Sequence, residues 1–573
     1  MRPVESQSPA VSQRSVAAGM VEMLRSLGVE YAFGVSGGAI APIWAALENS
    51  EIDVLHFRHE AGAAFAATEA YFASDRPVVV FTTAGPGITN ALTGLFAARW
   101  EGAKVIFVSP ATSSPQRGRW ACQETSGYAM PLSGLFASGS LFHYATKIES
   151  AAELPEVSRR LASGLSQPGG FVAHVSVPTD VQSSGMSAPL PKGKLSTAAI
   201  CASNADIAHC AQLLAEGDFA IWVGFGARRA ADSIRELAER TGAAVMCSPR
   251  GKGIFPEDHP QFIGVTGFGG HMSVLTYMRE YLPKRILVLG TRLGEFTSFW
   301  NPLMVPEGGF IHVDLDPTVP GTAYPEAETL AVQSDAGEFL RELLKFFPAG
   351  DDSTVKSAQP SHISAFPQPE RMIAHPCNSQ ERVRPDVLMD AIQALVVEGS
   401  NALVMAEPGN SFAWAINRLR FIQPNRFRTS TSFASMGHTV AGVVGGVAGR
   451  QHKVIAIVGD GSMLMNNEIA TAVKYKLPAV WIVLNDSCYN MVDQVMSSLN
   501  VKNFVQIPRT NFVQIAQGMG AQGVCITQES EIQAALNQAV VAQTPFVVDV
   551  VIDPTCVAPI QSRMKSLIAQ GAR

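Results

Sequence analysis

The 573-residue chain contains no Cys-x-x-Cys pair, no bilayer-length apolar run free of glycine, proline or charge, and no basic cluster. Its eight cysteines (Cys122, Cys201, Cys210, Cys247, Cys377, Cys488, Cys525 and Cys556) are scattered. That spacing argues against a zinc site or a disulfide framework and fits a reducing compartment. Without a long apolar run no membrane span is expected. A net charge of −6 leaves no electrostatic footprint for nucleic acid. The first residues, MRPVESQSPAVSQRS, have no apolar signal-peptide core, so a cytoplasmic protein is expected. There is no tandem repeat. No convincing Gly-x-Gly-x-x-Gly follows a strand, which speaks against a flavin- or nicotinamide-binding redox protein.

Charged residues make up 16% of the chain against 47% apolar ones, the balance of a well-buried globular protein. The length exceeds what one hydrophobic core can serve, so two to four domains are expected. Apolar strands alternate with helical patterns in three segments, the signature of doubly wound parallel α/β sheets. The first, 15–185, contains YAFGV, DVLHF, PVVVFTT and KVIFVSPA. The second, 200–348, contains FAIWVGFG, AAVMCSP, RILVLGT and FIHVDLD. The third, 385–556, contains NALVMAE, KVIAIVGDG, AVWIVLND and PFVVDVVID. SSGMSAPLPKGKLS separates the first two, and the polar stretch 349–384 reads as a second linker.

One stretch of the third segment carries chemistry: IAIVGDGSMLMNNEIATAVKYKLPAVWIVLND, from Ile455 to Asp486. Alone, Gly459-Asp460-Gly461 is a strand-to-helix turn with an aspartate cap. Here the next strand ends in Asn485-Asp486, 25 and 26 residues after Asp460. Parallel neighbours would bring both carboxyl ends to one sheet edge, where open sheets bind ligands. Two hard oxygen side chains beside glycine amides suit Mg²⁺ holding a diphosphate.

At this point the chain resembles the thiamine diphosphate (ThDP) enzymes, in their acetolactate synthase-like branch. The resemblance implies metal ligation by Asp460, Asp486 and the main-chain oxygen of Cys488, with Gly459, Gly461, Ser462 and Met491 also lining the cofactor. Two departures stand out. The spacing is one residue short of the family's common version, around MNNEIAT, and Asp486 replaces the usual second asparagine. In the first segment, FGVSGGAIAPIWAAL, RHEAGAAFAATEAY and TTAGPGITNALTGL match the start of the family's pyrimidine-binding domain. Alone, Glu60 reads as a charge at a helix N-terminus. The resemblance makes it the buried base that hydrogen-bonds the aminopyrimidine ring, with a raised pKa expected from burial. It also places Gly38 and Ala39 near the thiazolium, Gln123 beside the substrate, and Met436 under the bend of the folded cofactor. Met436 as ordinary core filler is the alternative. A homodimer or homotetramer with active sites between chains is implied as well.

Other departures bear on the reaction. Acetolactate synthases commonly read RFDDR where this chain reads RLGEF, which puts Phe296 at the position of an acceptor-contacting arginine. Val495 stands where a tryptophan usually shapes the acceptor pocket. Losing a cation and a large ring predicts a roomier, more apolar acceptor site. The resemblance therefore implies a carboligase that decarboxylates a small 2-oxo acid such as pyruvate and adds the carbanion to a larger carbonyl acceptor. The alternatives are a simple 2-oxo acid decarboxylase and a non-catalytic paralogue. Gly-rich GVTGFGGHM is too weak a signal for FAD in the central domain, and FAD is not expected.

Overall fold

The computed structural model describes residues 14–130, 135–186, 190, 199–348, 366–372, 382–465, 467–499, 501 and 505–570. They form three six-stranded sheets in which every pairing is parallel. A short antiparallel pair joins Arg14–Ser15 to Gly185–Met186. The linker expected at 349–384 lies outside the described residues except for 366–372 and 382–384. Most of SSGMSAPLPKGKLS lies outside them too.

The first sheet comprises β1 (Tyr31–Gly34), β2 (Asp53–His56), β3 (Val78–Phe81), β4 (Lys104–Ala111), β5 (Tyr144–Lys147) and β6 (Phe171–Pro178), ordered β2-β1-β3-β4-β6-β5. Strand β3 reads VVVF and is buried throughout, as a strand covered on both faces must be. The chain goes to β2 on one side of β1 and to β3 on the other. That reversal opens a crevice at the carboxyl ends of β1 and β3. Helices α1 (Glu60–Ser74) and α2 (Pro86–Glu101) begin just after β2 and β3, so their first turns lie at this edge.

The second sheet comprises β7 (Phe219–Val223), β8 (Ala244–Cys247), β9 (Phe262–Val265), β10 (Arg285–Leu289), β11 (Phe310–Asp314) and β12 (Thr329–Gln333), ordered β9-β8-β7-β10-β11-β12. The third comprises β13 (Leu403–Ala406), β14 (Phe427–Thr429), β15 (Val454–Gly459), β16 (Ala479–Asn485), β17 (Gln522–Ile526) and β18 (Phe546–Val551), ordered β14-β13-β15-β16-β18-β17. Its reversal falls between β13 and β15. The helices used below are α3 (Asn410–Arg418), α4 (His438–Arg450), α5 (Asn490–Ser498) and α6 (Gln561–Ala569).

Two compact units result. One is built on the first sheet and takes in 444–451; the other spans 199–443 and 452–573. Within the second unit the last two sheets share one apolar core, to which Val223 and Leu289 contribute from one side and Val404, Ile457 and Ile482 from the other. Lys252 crosses this core. Its ammonium donates to Glu257 Oε2 at 2.7 Å and to the Ile416 carbonyl at 3.2 Å, with both charged side chains buried. Six cysteines are free thiols, but Cys556 is disulfide-bonded. That departs from the expectation of free thiols throughout, because spacing along the chain shows only local pairs. Among the described residues no helix is long and apolar enough to cross a membrane.

Candidate active site

In the first unit the expected residues gather at the carboxyl edge of the sheet. Glu60 opens α1, is 7% exposed, and accepts a hydrogen bond from Asn90 Nδ2 on α2 at 3.1 Å through Oε2. Gly38 and Ala39 follow β1 in a 3-10 turn. Buried Gln182, just after β6, donates to the Ala39 carbonyl at 2.9 Å and to the Val177 carbonyl at 3.0 Å, which fixes that turn. Gln123 lies in the exposed loop after β4 with a left-handed backbone, φ 54°. Its Oε1 accepts from Thr83 Oγ1 at 3.3 Å, beside the start of α2. Glu60, Asn90, Thr83 and Gln123 are thus linked through one helix and the turn that precedes it.

In the second unit Asp460 and Asp486 leave adjacent strands at the same edge, because Gly459 pairs in register with Leu484. Asp460 is 3% exposed. It accepts the Gly461 amide through Oδ1 and the Ser487 amide through Oδ2, each at 2.7 Å. Asp486 Oδ2 accepts from Asn490 Nδ2 at 2.7 Å, and the same Asn490 amide reaches the Pro554 carbonyl at 3.0 Å. Burial pushes Asp460 up to about 6 against the pull of its backbone donors. Burial, then the charge of Asp460, pushes Asp486 up to about 7. Two neighbouring carboxylates, both raised by burial and one of them also by the other's charge, form a site whose charge a divalent cation would neutralise.

Among the described residues no cluster of three or more His, Cys, Asp or Glu side chains could hold a metal. A cation here would need main-chain and ligand oxygens to complete its shell, and Mg²⁺ accepts such mixed sets. The donor set therefore fits a hard cation bridged to a diphosphate. The glycines fit as well. A Cβ at Gly459 would meet nothing within 4 Å, so its face is open to a ligand, whereas a Cβ at Gly461 would lie 2.4 Å from the Tyr489 ring. Ser462 is 5% exposed in the turn that follows. Cys488, whose thiol burial pushes up to about 11, pairs through its backbone with Gln506.

Met436 is half-buried, one residue before Gly437 and two before α4. Glu407, fully buried directly after β13, accepts the Gly437 and Thr439 amides at 2.6 Å each. Burial pushes its carboxyl up.

Met491 and Val495 lie on α5, partly buried against the shared core. Phe296 stacks on Phe268 at 5.0 Å, and Phe268 on Phe412 at 5.2 Å. Glu295 accepts from Arg563, from Ser566 at 2.6 Å and from Gln570 at 2.8 Å, while the Arg563 guanidinium lies 5.5 Å from the Phe296 ring centre. Burial alone would raise Glu295, but Ser566, Gln570 and Arg563 hold it below its ordinary value.

Asn90, Gln182, Glu407 and Asn490 were not singled out from the sequence. For Asn90, Glu407 and Asn490 the only signals there are short, since GPGITN, AEPGNS and YNMVDQ mark turns beside strand ends, and Gln182 has none.

Comparison with known proteins agrees with this arrangement. Residues 14–130 match the family model described as thiamine pyrophosphate enzyme, N-terminal TPP binding domain. Residues 207–343 match the central domain and 407–550 the C-terminal TPP binding domain. The "Probable acetolactate synthase large subunit" of Methanocaldococcus jannaschii is 26% identical over 566 residues, covering 95% of this chain and 93% of that protein. The acetolactate synthase isozyme 2 large subunit of Escherichia coli is 26% identical, covering 93% and 95% respectively. Isozyme 1 of the same organism is 26% identical, covering 93% of each chain. Three family domains matched in order, with relatives aligned over nearly the whole length, place this chain in the thiamine pyrophosphate enzyme family, in its acetolactate synthase-like branch.

Proposed function

We infer that the protein is a ThDP- and Mg²⁺-dependent carboligase that decarboxylates a small 2-oxo acid and adds the resulting carbanion to a larger carbonyl acceptor. The product is an acyloin or 2-hydroxy-ketone. The observation that carries this reading is the pair of carboxylates, buried Asp460 and half-buried Asp486, at neighbouring strand ends. Their side chains and the Cys488 main-chain oxygen would hold Mg²⁺, with Gly459, Gly461 and Ser462 against the diphosphate. Bound there, ThDP supplies the electron sink that decarboxylation and carbon–carbon bond formation both need.

The protein's own residues bind, orient and move protons. Glu60, held by Asn90, would give and take the aminopyrimidine proton through its carboxyl group once the cofactor is bound. Gln182 fixes the Gly38–Ala39 turn, Gln123 would contact the substrate, and Met436 and Met491 would pack on the bound cofactor. Phe296 and Val495 leave the acceptor side apolar and wide. The active unit is a homodimer or homotetramer with active sites between chains, as the family resemblance implies, and it works in the cytoplasm.

The test is mass spectrometry of products from purified protein with ThDP, Mg²⁺, pyruvate and a panel of larger oxo compounds, beside Glu60→Gln. New hydroxyketones that vanish in the variant are expected. Acetaldehyde alone would make the protein a decarboxylase and overturn the ligation step.

A further inference from the structure

Glu407 takes part in no step above, yet its setting is costly. A fully buried carboxylate loses its hydration, and the fold keeps such a group only where strong donors meet it. Here Oε1 accepts the Gly437 amide and Oε2 the Thr439 amide, each at 2.6 Å. A helix start is ordinarily capped by a Ser, Thr, Asp or Asn of its own chain segment, at no such desolvation cost. The acceptor for α4 instead reaches across from the end of β13.

Neighbouring bonds make that strand end rigid. Ser411 Oγ donates to the Glu407 carbonyl at 2.9 Å. Thr429 and Thr439 hydroxyls donate to the Ala406 carbonyl at 3.0 and 3.3 Å. The ends of β13 and β14, the first turn of α3 and the residues entering α4 are therefore knotted at one point. The Gly437 amide belongs to the peptide that follows Met436, and Gly437 itself has φ +85°, a turn that glycine makes at little cost. Gripping this peptide sets the direction from which Met436 leaves the backbone.

We propose that Glu407 is the positioning residue of the 436–439 loop: through the Gly437 and Thr439 amides it holds that loop, and Met436 with it, ready for the cofactor. This rests on the reading of the site as a ThDP site. A preformed loop spares the cofactor the cost of ordering it, so loosening the loop should weaken binding at the ring end and leave the diphosphate end unaffected.

The experiment measures binding of ThDP and of inorganic diphosphate, both with Mg²⁺, by calorimetry on full-length wild-type protein, Glu407→Gln, Met436→Ala and the double variant. The glutamine turns one of its two acceptors into a donor facing an N–H. ThDP affinity should fall about tenfold or more, the scale of one buried charged hydrogen bond, while diphosphate affinity stays unchanged. The double variant should bind no worse than the weaker single variant. Unchanged ThDP affinity in Glu407→Gln, or equal weakening of both ligands, would overturn the positioning role. Loss in Glu407→Gln without loss in Met436→Ala would keep the role of Glu407 and remove that of Met436. Failure of wild-type protein to bind ThDP would sink the reading of the site itself. Should Glu407→Gln not fold, hydrogen exchange on cofactor-free wild-type protein decides: the Gly437 and Thr439 amides should exchange as slowly as the interior of α4, and fast exchange refutes the proposal.

Discussion

Asn90 Nδ2 donates to Glu60 Oε2 across 3.1 Å, from the second turn of α2 to the first residue of α1. This bond joins the helices that follow β2 and β3, and it orients the one carboxyl group proposed for proton exchange. Glu60→Gln should therefore lower kcat by about a hundredfold or more, the usual weight of a general acid–base group, with ThDP still bound. Asn90→Ala should cost less, about tenfold, and mainly in kcat. A rise in KM alone for Asn90→Ala would mean that the bond serves binding and not proton exchange.

Asp460 and Asp486 differ in burial and in partners. Asp460→Asn removes the more buried charge, the one that accepts two backbone amides. It should abolish Mg²⁺-dependent ThDP binding. Asp486→Asn restores the pair that is commoner in the family, keeps an oxygen ligand and relieves the repulsion. Binding should persist within about tenfold. Titration of both variants with Mg²⁺ at fixed ThDP separates the two cases.

The acceptor side can be tested by restoring what it lacks. Phe296→Arg with Val495→Trp adds a cation and a large ring where the chain has a stacked phenyl and a small aliphatic side chain. Competition assays with mixed acceptors should shift the product ratio towards the smaller acceptor by about tenfold. An unchanged ratio would place the acceptor elsewhere.

His174 makes the first unit sensitive to acid. It is fully buried among Phe107, Phe136 and Phe142, bonds to Ser109 at 2.8 Å, and burial lowers it to about 4 from an ordinary 6.5. The unfolded chain takes up this proton below about 6.5, and the folded one does so only near 4. Stability is therefore full above 6.5 and falls as pH drops through that window, by on the order of 3 kcal/mol. Urea midpoints at several pH values should show this slope reduced in His174→Gln.

Lys252→Met would leave Glu257 charged and buried without its cation. A loss of about 3–5 kcal/mol is expected. Replacing Glu257 as well should recover part of it. Thermal midpoints of the single and double variants provide the check.

Much of the fold was legible because its central strands are short apolar runs: VVVF, FAIWV and AVWIVLN each became a fully buried parallel strand. Several edge strands were not legible, although β2 was read as DVLHF. Strand β5 is half-exposed along its length, β17 is mostly so, and β14 is three residues long with Arg428 at its centre. Such segments carry no periodicity to read. The site divides in the same way. Asp460 and Asp486 could be read because a strand end fixes their place, and the structure does bring them together. Gln182 and Glu407 could not be read, because each acts on a loop more than twenty residues away through bonds that only the tertiary fold creates.

The three donors that α6 and its following residue Gln570 direct at Glu295 have a practical consequence. That one carboxylate serves as the mooring of α6, so a proteolytic nick near Arg563 would cast off the helix as a whole. The Glu295 carboxylate, stripped of its three donors, would then need water in their place.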